Sequence, residues 1–211
     1  MFCNDDGMDH PDVVEFRPRG SRILTIVVGV GAAAAATVGL VDDPATGVRY
    51  VPAFALAAVL VWAIFGRPAV LVSDGGVELR NVLRTIALPW PAIQRIDTKY
   101  ALTLYTAYGI YAAWAAPAPS RSQAIRAERE DLKHLPESTY VGGGVRPGDL
   151  AGTASGEAAA YIRRRWEWLR DAGYLEVPRL ERPTPKVRWH VWPAVGVAAL
   201  TALTVVALRL P

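Results

Sequence analysis

Three long apolar blocks dominate the chain and limit what it can fold into. They span residues 23–41, 50–66 and 189–208, contain 19, 17 and 20 residues, and include no Asp, Glu, Lys or Arg. About 20 apolar residues in a helix cross the hydrocarbon core of a bilayer, which is roughly 30 Å thick. A helix on the surface of a soluble protein keeps a polar face, and these blocks have none. They predict three transmembrane helices, with buried helices of a soluble protein as the alternative.

The basic residues that flank the blocks predict the orientation of the chain. Three arginines precede the first block, whereas the link between the first two blocks (residues 42–49) contains one basic residue, Arg49. Basic residues also follow the second block and precede the third, at Arg67, Arg179, Arg182, Lys186 and Arg188. Cytoplasmic loops are enriched in Lys and Arg. The pattern therefore predicts a multi-pass protein of the plasma membrane, with the N-terminus and residues 67–188 in the cytoplasm and the C-terminus outside.

The first block has a second interpretation, as a cleaved signal peptide. The leader before it is long and acidic, and a second apolar block follows almost at once. Both features favour a span, so residues 22–66 are predicted to form a transmembrane helical hairpin. The leader itself, residues 1–21, is predicted to be a disordered tail.

Residues 67–117 alternate apolar and polar side chains in short runs separated by turn residues, which is typical of antiparallel strands. Asp74-Gly75-Gly76 is one such turn, and Pro89-Trp90-Pro91 interrupts the ladder because proline donates no backbone hydrogen bond. The alternation places six residues on the buried face, namely Val77, Leu79, Ile86, Leu88, Leu102 and Leu104.

The chain between the strands and the third block is predicted to form three parts. Residues 118–153 are charged and rich in Gly and Pro, so they are predicted to be a flexible insertion. Residues 154–175 carry an apolar stripe at helical spacing and are predicted to form an amphipathic helix capped by Ser155. Residues 176–188 are predicted to be a basic linker to the third span, residues 189–208.

The order of these parts resembles a known family. A transmembrane hairpin followed by RPAVLVSDGGVELRNVLRTIALPWPAIQRI is similar to the bacterial pleckstrin-homology-like (PH-like) domains of actinobacterial membrane proteins, in particular the low molecular weight protein antigen 6 family. The segments that carry the resemblance are the turn at residues 74–77, the turn at residues 81–84 and Leu88-Pro89-Trp90. The resemblance implies a barrel of antiparallel strands closed by a C-terminal helix. The expected fold class is thus an α+β membrane protein with three transmembrane helices and a small antiparallel PH-like β-barrel or sheet domain.

The residues that usually carry enzymatic chemistry are sparse. His10, His134 and His190 lie far apart and show no metal-ligand spacing, and Cys3 is the only cysteine. The net charge of +3, without a basic stripe interleaved with aromatic residues, argues against nucleic acid. No catalytic, cofactor-binding or metal-binding residue is predicted, and no enzyme activity is expected.

The sequence therefore favours a membrane-anchored, non-enzymatic interaction module that binds a protein partner or the inner leaflet. The alternative is an accessory subunit of a membrane enzyme or transporter, which the absence of acidic residues from the spans disfavours. The candidate contacts to lipid headgroups or a partner are Arg163, Arg164, Arg165 and Arg170, with a solvated helix face as the alternative.

Overall fold

The structure is a computed structural model that describes residues 13–119, 140–141, 144–145, 153–175 and 184–209. The helices are α1 (Arg19–Asp42), α2 (Pro44–Val61), which continues as a π-helical turn (Trp62–Gly66), α3 (Ala154–Asp171) and α4 (Val191–Arg209). The strands are β1 (Val13–Phe16), β2 (Ala69–Ser73), β3 (Gly76–Arg80), β4 (Arg84–Pro89), β5 (Ile93–Asp97), β6 (Ala101–Thr106), β7 (Gly109–Pro117), β8 (Tyr140–Val141), β9 (Gly144–Val145) and β10 (Lys186–Trp189).

Three helical segments are long and apolar enough to cross a membrane, namely Gly20–Asp42, Pro44–Gly66 and Val191–Arg209. The first two form a tight hairpin, and α4 packs against α2. The hairpin turn is shorter than predicted because Asp43 caps α2 directly, its carboxylate accepting hydrogen bonds from the backbone N–H of Ala45 and Thr46 (3.1 and 3.3 Å). The helices therefore extend beyond the predicted spans at residues 23–41 and 50–66.

The hairpin closes where two glycines meet. The Cα of Gly47 lies 3.7 Å from the position of a Cβ on Gly39. A Cβ on Gly47 would collide with the carbonyl oxygen of Gly39 and lie 2.8 Å from the backbone nitrogen of Leu40. Small residues permit such close approach between membrane helices.

We expect Gly47→Ala to destabilise the hairpin by about 1–3 kcal/mol, because the colliding atoms belong to the backbone and cannot rotate away. Gly31→Ala is the matched control, since a Cβ there meets nothing within 4 Å. Unfolding of the reconstituted protein in increasing dodecyl sulfate, followed by circular dichroism, measures both. Equal midpoints for the two variants would contradict the packing.

Eight of the ten described strands form two antiparallel sheets. The first has five strands in the order β1-β2-β3-β4-β10, and the second has three in the order β5-β6-β7. The side chains predicted to face inward do so, since Val77, Leu79, Ile86, Leu88, Leu102 and Leu104 are each at most 1% exposed. Helix α3 covers this core with the predicted stripe, in which Ala158, Ile162 and Leu169 are buried and Tyr161 and Trp166 are partly buried.

Of the two predicted forms, a barrel or a sheet domain, the described strands form sheets and no closed barrel, because the two larger sheets do not share a continuous ladder. The 3₁₀ turn Trp90–Ala92 carries the chain from the first sheet to the second. Between the end of β3 and β7 the Asn81 side chain connects the two sheets. Its Nδ2 donates to the carbonyl of Ala112 and its Oδ1 accepts from the backbone N–H of Trp114, both at 2.9 Å. A side chain thus takes the place of strand pairing there.

Two segments predicted to lack structure are edge strands instead. Val13–Phe16, assigned to a disordered tail, pairs with β2, and Lys186–Trp189, assigned to a linker and the start of the third span, pairs with β4. Each satisfies backbone groups that would otherwise be left at a sheet edge.

Helix α3 begins at Ala154, the first residue of the predicted range, but its N-cap is not the predicted one. Thr153, rather than Ser155, is its N-cap, with the Thr153 hydroxyl accepting from Gly156 N–H at 3.0 Å. The side chain of Ser155 is buried instead. Most of the insertion predicted at residues 118–153 lies outside the described residues. Its described part includes the short pair β8–β9.

Candidate functional site

All three connections between the apolar helices and the first sheet lie at one end of that sheet. Strand β1 runs into α1, the π-helical turn runs into β2, and β10 runs into α4. The registers place Phe16 opposite Val70 and Trp189 opposite Arg84, so the three connections lie at the same end of their antiparallel strands. Residues at this end therefore sit next to the ends of the predicted membrane spans.

The outer face of the first sheet forms a concave surface at this end. Strand pairing aligns Arg80, Thr85 and Arg188 in one row across β3, β4 and β10. The next row contains Glu78, Ala87 and Lys186. The short side chains of Thr85 and Ala87 form a floor between longer charged ones. This surface, the basic cleft, has a volume of about 550 Å³ and is lined by Arg17, Trp62, Gly66, Arg67, Glu78, Arg80, Thr85, Ala87, Lys186, Arg188 and His190.

Five Lys or Arg side chains and one carboxylate line the cleft. Three of the cations are held by protein groups: Arg17 pairs with Glu15, Arg67 donates to the carbonyl of Val82, and Arg80 pairs with Glu78 at 2.8 Å. Within the part of the chain that the structure describes, Lys186 and Arg188 make no ion pair or side-chain hydrogen bond. The cleft therefore has a positive surplus, concentrated on β10.

His190 lies at the rim of this positive surface. Its Nε2 is 2.8 Å from the Thr85 hydroxyl, and its backbone N–H donates to the carbonyl of Leu83 at 2.8 Å. Burial lowers the pKa of His190 below its ordinary value of 6.5, and the positive charges of Arg67, Arg188 and Arg80 lower it further, whereas Glu78 opposes them. The lowered pKa favours the neutral imidazole at pH 7, and an anion in the cleft would favour its protonation.

The lowered pKa of His190 predicts a loss of stability in acid. Well above pH 6.5 the imidazole is neutral in both the folded and the unfolded chain. As the pH falls through 6.5 the unfolded chain takes up the proton first, so the free energy of unfolding falls as pH falls. Thermal unfolding in nanodiscs of zwitterionic lipid, at several pH values between neutral and mildly acidic, measures this. We expect His190→Gln, whose amide can replace the bond to Thr85, to show a shallower pH dependence. Identical pH profiles for the two proteins would refute this role of His190.

The arginines predicted from sequence lie elsewhere, on α3, and none lines the basic cleft. Arg165 pairs with Asp74 at 2.5 Å, and Arg170 pairs with Asp171 at 3.0 Å. Their guanidinium groups also lie over the rings of Trp168 and Trp166, at 4.9 and 5.4 Å respectively. Arg163 is partly buried and Arg164 is exposed. Arg165 and Arg170 are thus engaged by neighbouring side chains, and the helix does not gather the four arginines into one pocket.

Sequence reasoning missed the cleft because its residues come from separate parts of the chain. Lys186 and Arg188 were assigned to a linker, although the alternation Lys-Val-Arg-Trp is that of a strand.

Among the described residues, no group of three His, Cys, Asp or Glu side chains is placed to hold a metal ion.

The profile of the family described as "Bacterial PH domain" matches residues 67–209, more than two thirds of the chain. The chain belongs to the bacterial PH domain family. The match runs from the end of the second apolar helix through the third, so this bacterial PH domain includes β10 and most of the residues that line the basic cleft. Comparisons with curated proteins and with solved structures gave no match. Membership of the antigen 6 family and an actinobacterial origin stay predictions.

Proposed function

We propose that this bacterial PH domain is a membrane-anchored, non-enzymatic interaction module whose basic cleft binds the anionic headgroup of an inner-leaflet phospholipid. In this proposal the three apolar helices cross the plasma membrane, with the N-terminus and the sheet domain in the cytoplasm and the C-terminus outside. The observation that carries it is the surplus of positive charge in a cleft at the junction of the sheet and all three helices.

The position of the cations supports a lipid ligand. Arg67 directly follows the second apolar helix, while Arg17 and Arg188 each lie three residues before an apolar helix. Side chains at such positions reach the headgroup layer of a bilayer, where each basic residue contributes about 1 kcal/mol towards anionic lipid. Trp62, which is 48% exposed in the cleft wall, has the amphipathic character of residues at that depth.

The chemistry of the cleft also suits a phosphate group. Arginine offers a planar fork of N–H donors that matches two phosphate oxygens, and lysine adds a compact charge. Arg188 and Lys186 extend from neighbouring rows of one strand, and both are exposed. A phosphate between them would gain donors without first breaking an ion pair within the described part of the protein.

The competing surface on α3 is less favourably placed. Arg165 contacts Asp74, which follows β2 at the end of that strand opposite the spans. Five residues of β2 separate the two ends, a length of roughly 16 Å in a strand. Arg165 therefore lies further from the ends of the apolar helices than the basic cleft does.

The full chain, reconstituted in phosphatidylcholine bilayers, tests the proposal. Electron spin resonance of spin-labelled phosphatidylglycerol and phosphatidylcholine gives the relative association of each lipid with the protein. We expect phosphatidylglycerol to be preferred and the preference to shrink with added salt, because exposed charges are screened. Equal association of the two lipids would overturn the proposal. A protein partner that binds the cleft residues stoichiometrically, while the protein shows no preference between the two lipids, would overturn it as well.

A further inference from the structure

A second concavity lies at the same junction and shares no residue with the basic cleft. This apolar groove has a volume of about 450 Å³, within the range of roughly 300–1,000 Å³ that is common for small-molecule sites. The lining residues that matter here are Gly20, Ser21, Leu24, Ile64, Phe65, Trp114 and Ala115, and none of the residues that line the groove is charged.

The few polar side chains of the groove already have partners within the protein. The Ser21 hydroxyl donates to the carbonyl of Pro18 at 2.8 Å, and the indole N–H of Trp114 donates to the carbonyl of Ile64 at 3.0 Å. The groove therefore presents neither a charge nor a side-chain donor that needs a ligand. A polar ligand would lose its hydration there without compensation, whereas an apolar one would not.

The walls of the groove run from the apolar helices onto the sheet domain. Leu24 belongs to α1, and Ile64 and Phe65 belong to the π-helical turn that ends the second apolar helix. The opposite wall is the end of β7, where Trp114 is 56% exposed. The apolar surface is therefore continuous from the spans to the domain, and the hydrogen bond between Trp114 and Ile64 ties the two walls together.

We propose that the apolar groove binds the acyl chain of a membrane phospholipid, held between the spans and β7. This inference rests on the membrane anchoring proposed above but not on headgroup binding in the basic cleft. The occupant follows from the continuity of the walls, because the molecules that surround Leu24 and Phe65 in a bilayer are lipids. A chain in the groove covers Trp114 and fixes the sheet domain against the membrane surface.

Photocrosslinking of the full chain in nanodiscs tests the inference. The probe is a phosphatidylcholine with a diazirine in its acyl chain, and crosslinked residues are mapped by mass spectrometry. We expect crosslinks in the middle of α1, which report membrane insertion, and also at Trp114 and Ala115, which belong to the sheet domain.

Two leucine substitutions on the same helix, one inside the groove and one outside it, supply the matched comparison. A Cβ on Gly20 meets nothing within 4 Å, so Gly20→Leu adds a side chain to the groove wall without a backbone clash. Gly31→Leu adds the same side chain to the same helix outside the groove, where a Cβ also meets nothing within 4 Å. We expect Gly20→Leu to lower the β7 crosslinks several-fold and Gly31→Leu to leave them unchanged.

The outcomes separate this inference from the membrane anchoring. Crosslinks in α1 without crosslinks on β7 overturn the groove and leave the anchoring intact, whereas an absence of both overturns the anchoring itself. β7 crosslinks that Gly20→Leu does not reduce also overturn the inference. A crosslink between groove residues of two chains identifies a second copy as the occupant and overturns it as well.

Discussion

The double substitution Lys186→Gln and Arg188→Gln is expected to remove most of the preference of the reconstituted protein for anionic lipid. Both side chains project from β10 into the basic cleft, and neither is engaged in an ion pair within the described part of the protein. At about 1 kcal/mol for each basic residue near a membrane surface, the pair contributes about 2 kcal/mol, or roughly 30-fold in relative association at low salt. The ratio of spin-labelled phosphatidylglycerol to phosphatidylcholine bound by the variant measures the loss.

The matched control removes the same charge from α3. Arg164→Gln with Arg170→Gln changes two exposed arginines that do not line the cleft. We expect this variant to keep most of the lipid preference, because its residues act only through long-range, screened electrostatics. If the α3 variant lost the preference and the β10 variant kept it, the arginines predicted from sequence would be the headgroup contacts and the basic cleft would not.

The second large effect is expected at the turn between β2 and β3, where Gly76→Ala should prevent stable folding of the first sheet. Gly76 has φ +150°, a backbone conformation that residues with a Cβ rarely adopt. The new Cβ would collide with the carbonyl oxygen of Leu88 and lie 2.9 Å from the Cα of Pro89, on the strand paired with β3. Backbone strain and overpacking together should cost about 3 kcal/mol or more.

Gly75→Ala is the control within the same turn. Its φ is not positive, and the nearest atom to its added Cβ is the Ser73 hydroxyl at 3.9 Å. Protease susceptibility and thermal unfolding of the full chain in nanodiscs compare the two variants. A Gly76→Ala protein as stable as the Gly75→Ala protein would contradict the register that aligns β3 with β4, and with it the rows of the basic cleft.

The helices and the core strands were predictable from sequence because their signals are local. An uncharged block of 19 residues needs no knowledge of the fold to indicate a span. The alternation around Val77, Leu79, Ile86 and Leu88 likewise assigns the buried face of two strands directly.

The pairing of the edge strands was not predictable, since both are four residues long and pair with distant parts of the chain. Val13 pairs with Ser73, and Lys186 pairs with Ala87, so each partner is set by the fold. The sheet was therefore expected without the strands at either edge, and the sequence did not decide between a barrel and open sheets.

The candidate site was missed for the same reason. The run Arg163-Arg164-Arg165 is contiguous and conspicuous, whereas the cleft combines Arg17, Arg67, Arg80 and Arg188 from four separate segments. Only the pairing of β10 with β4 brings the last of these next to the others. Charge clusters built by a sheet do not appear as clusters in the sequence.

The position of the basic cleft relative to the bilayer tests the central claim most directly. In a Cys3→Ser background, one spin label is attached at Lys186→Cys on the cleft rim and another at Gly75→Cys in the turn after β2. The full chain is placed in nanodiscs that contain a lipid with a nickel-chelating headgroup, and power saturation measures the proximity of each label to the headgroup layer. The proposed function predicts strong relaxation by nickel at position 186 and little at position 75. Equal relaxation at both positions, or stronger relaxation at position 75, would contradict a cleft that faces the headgroups.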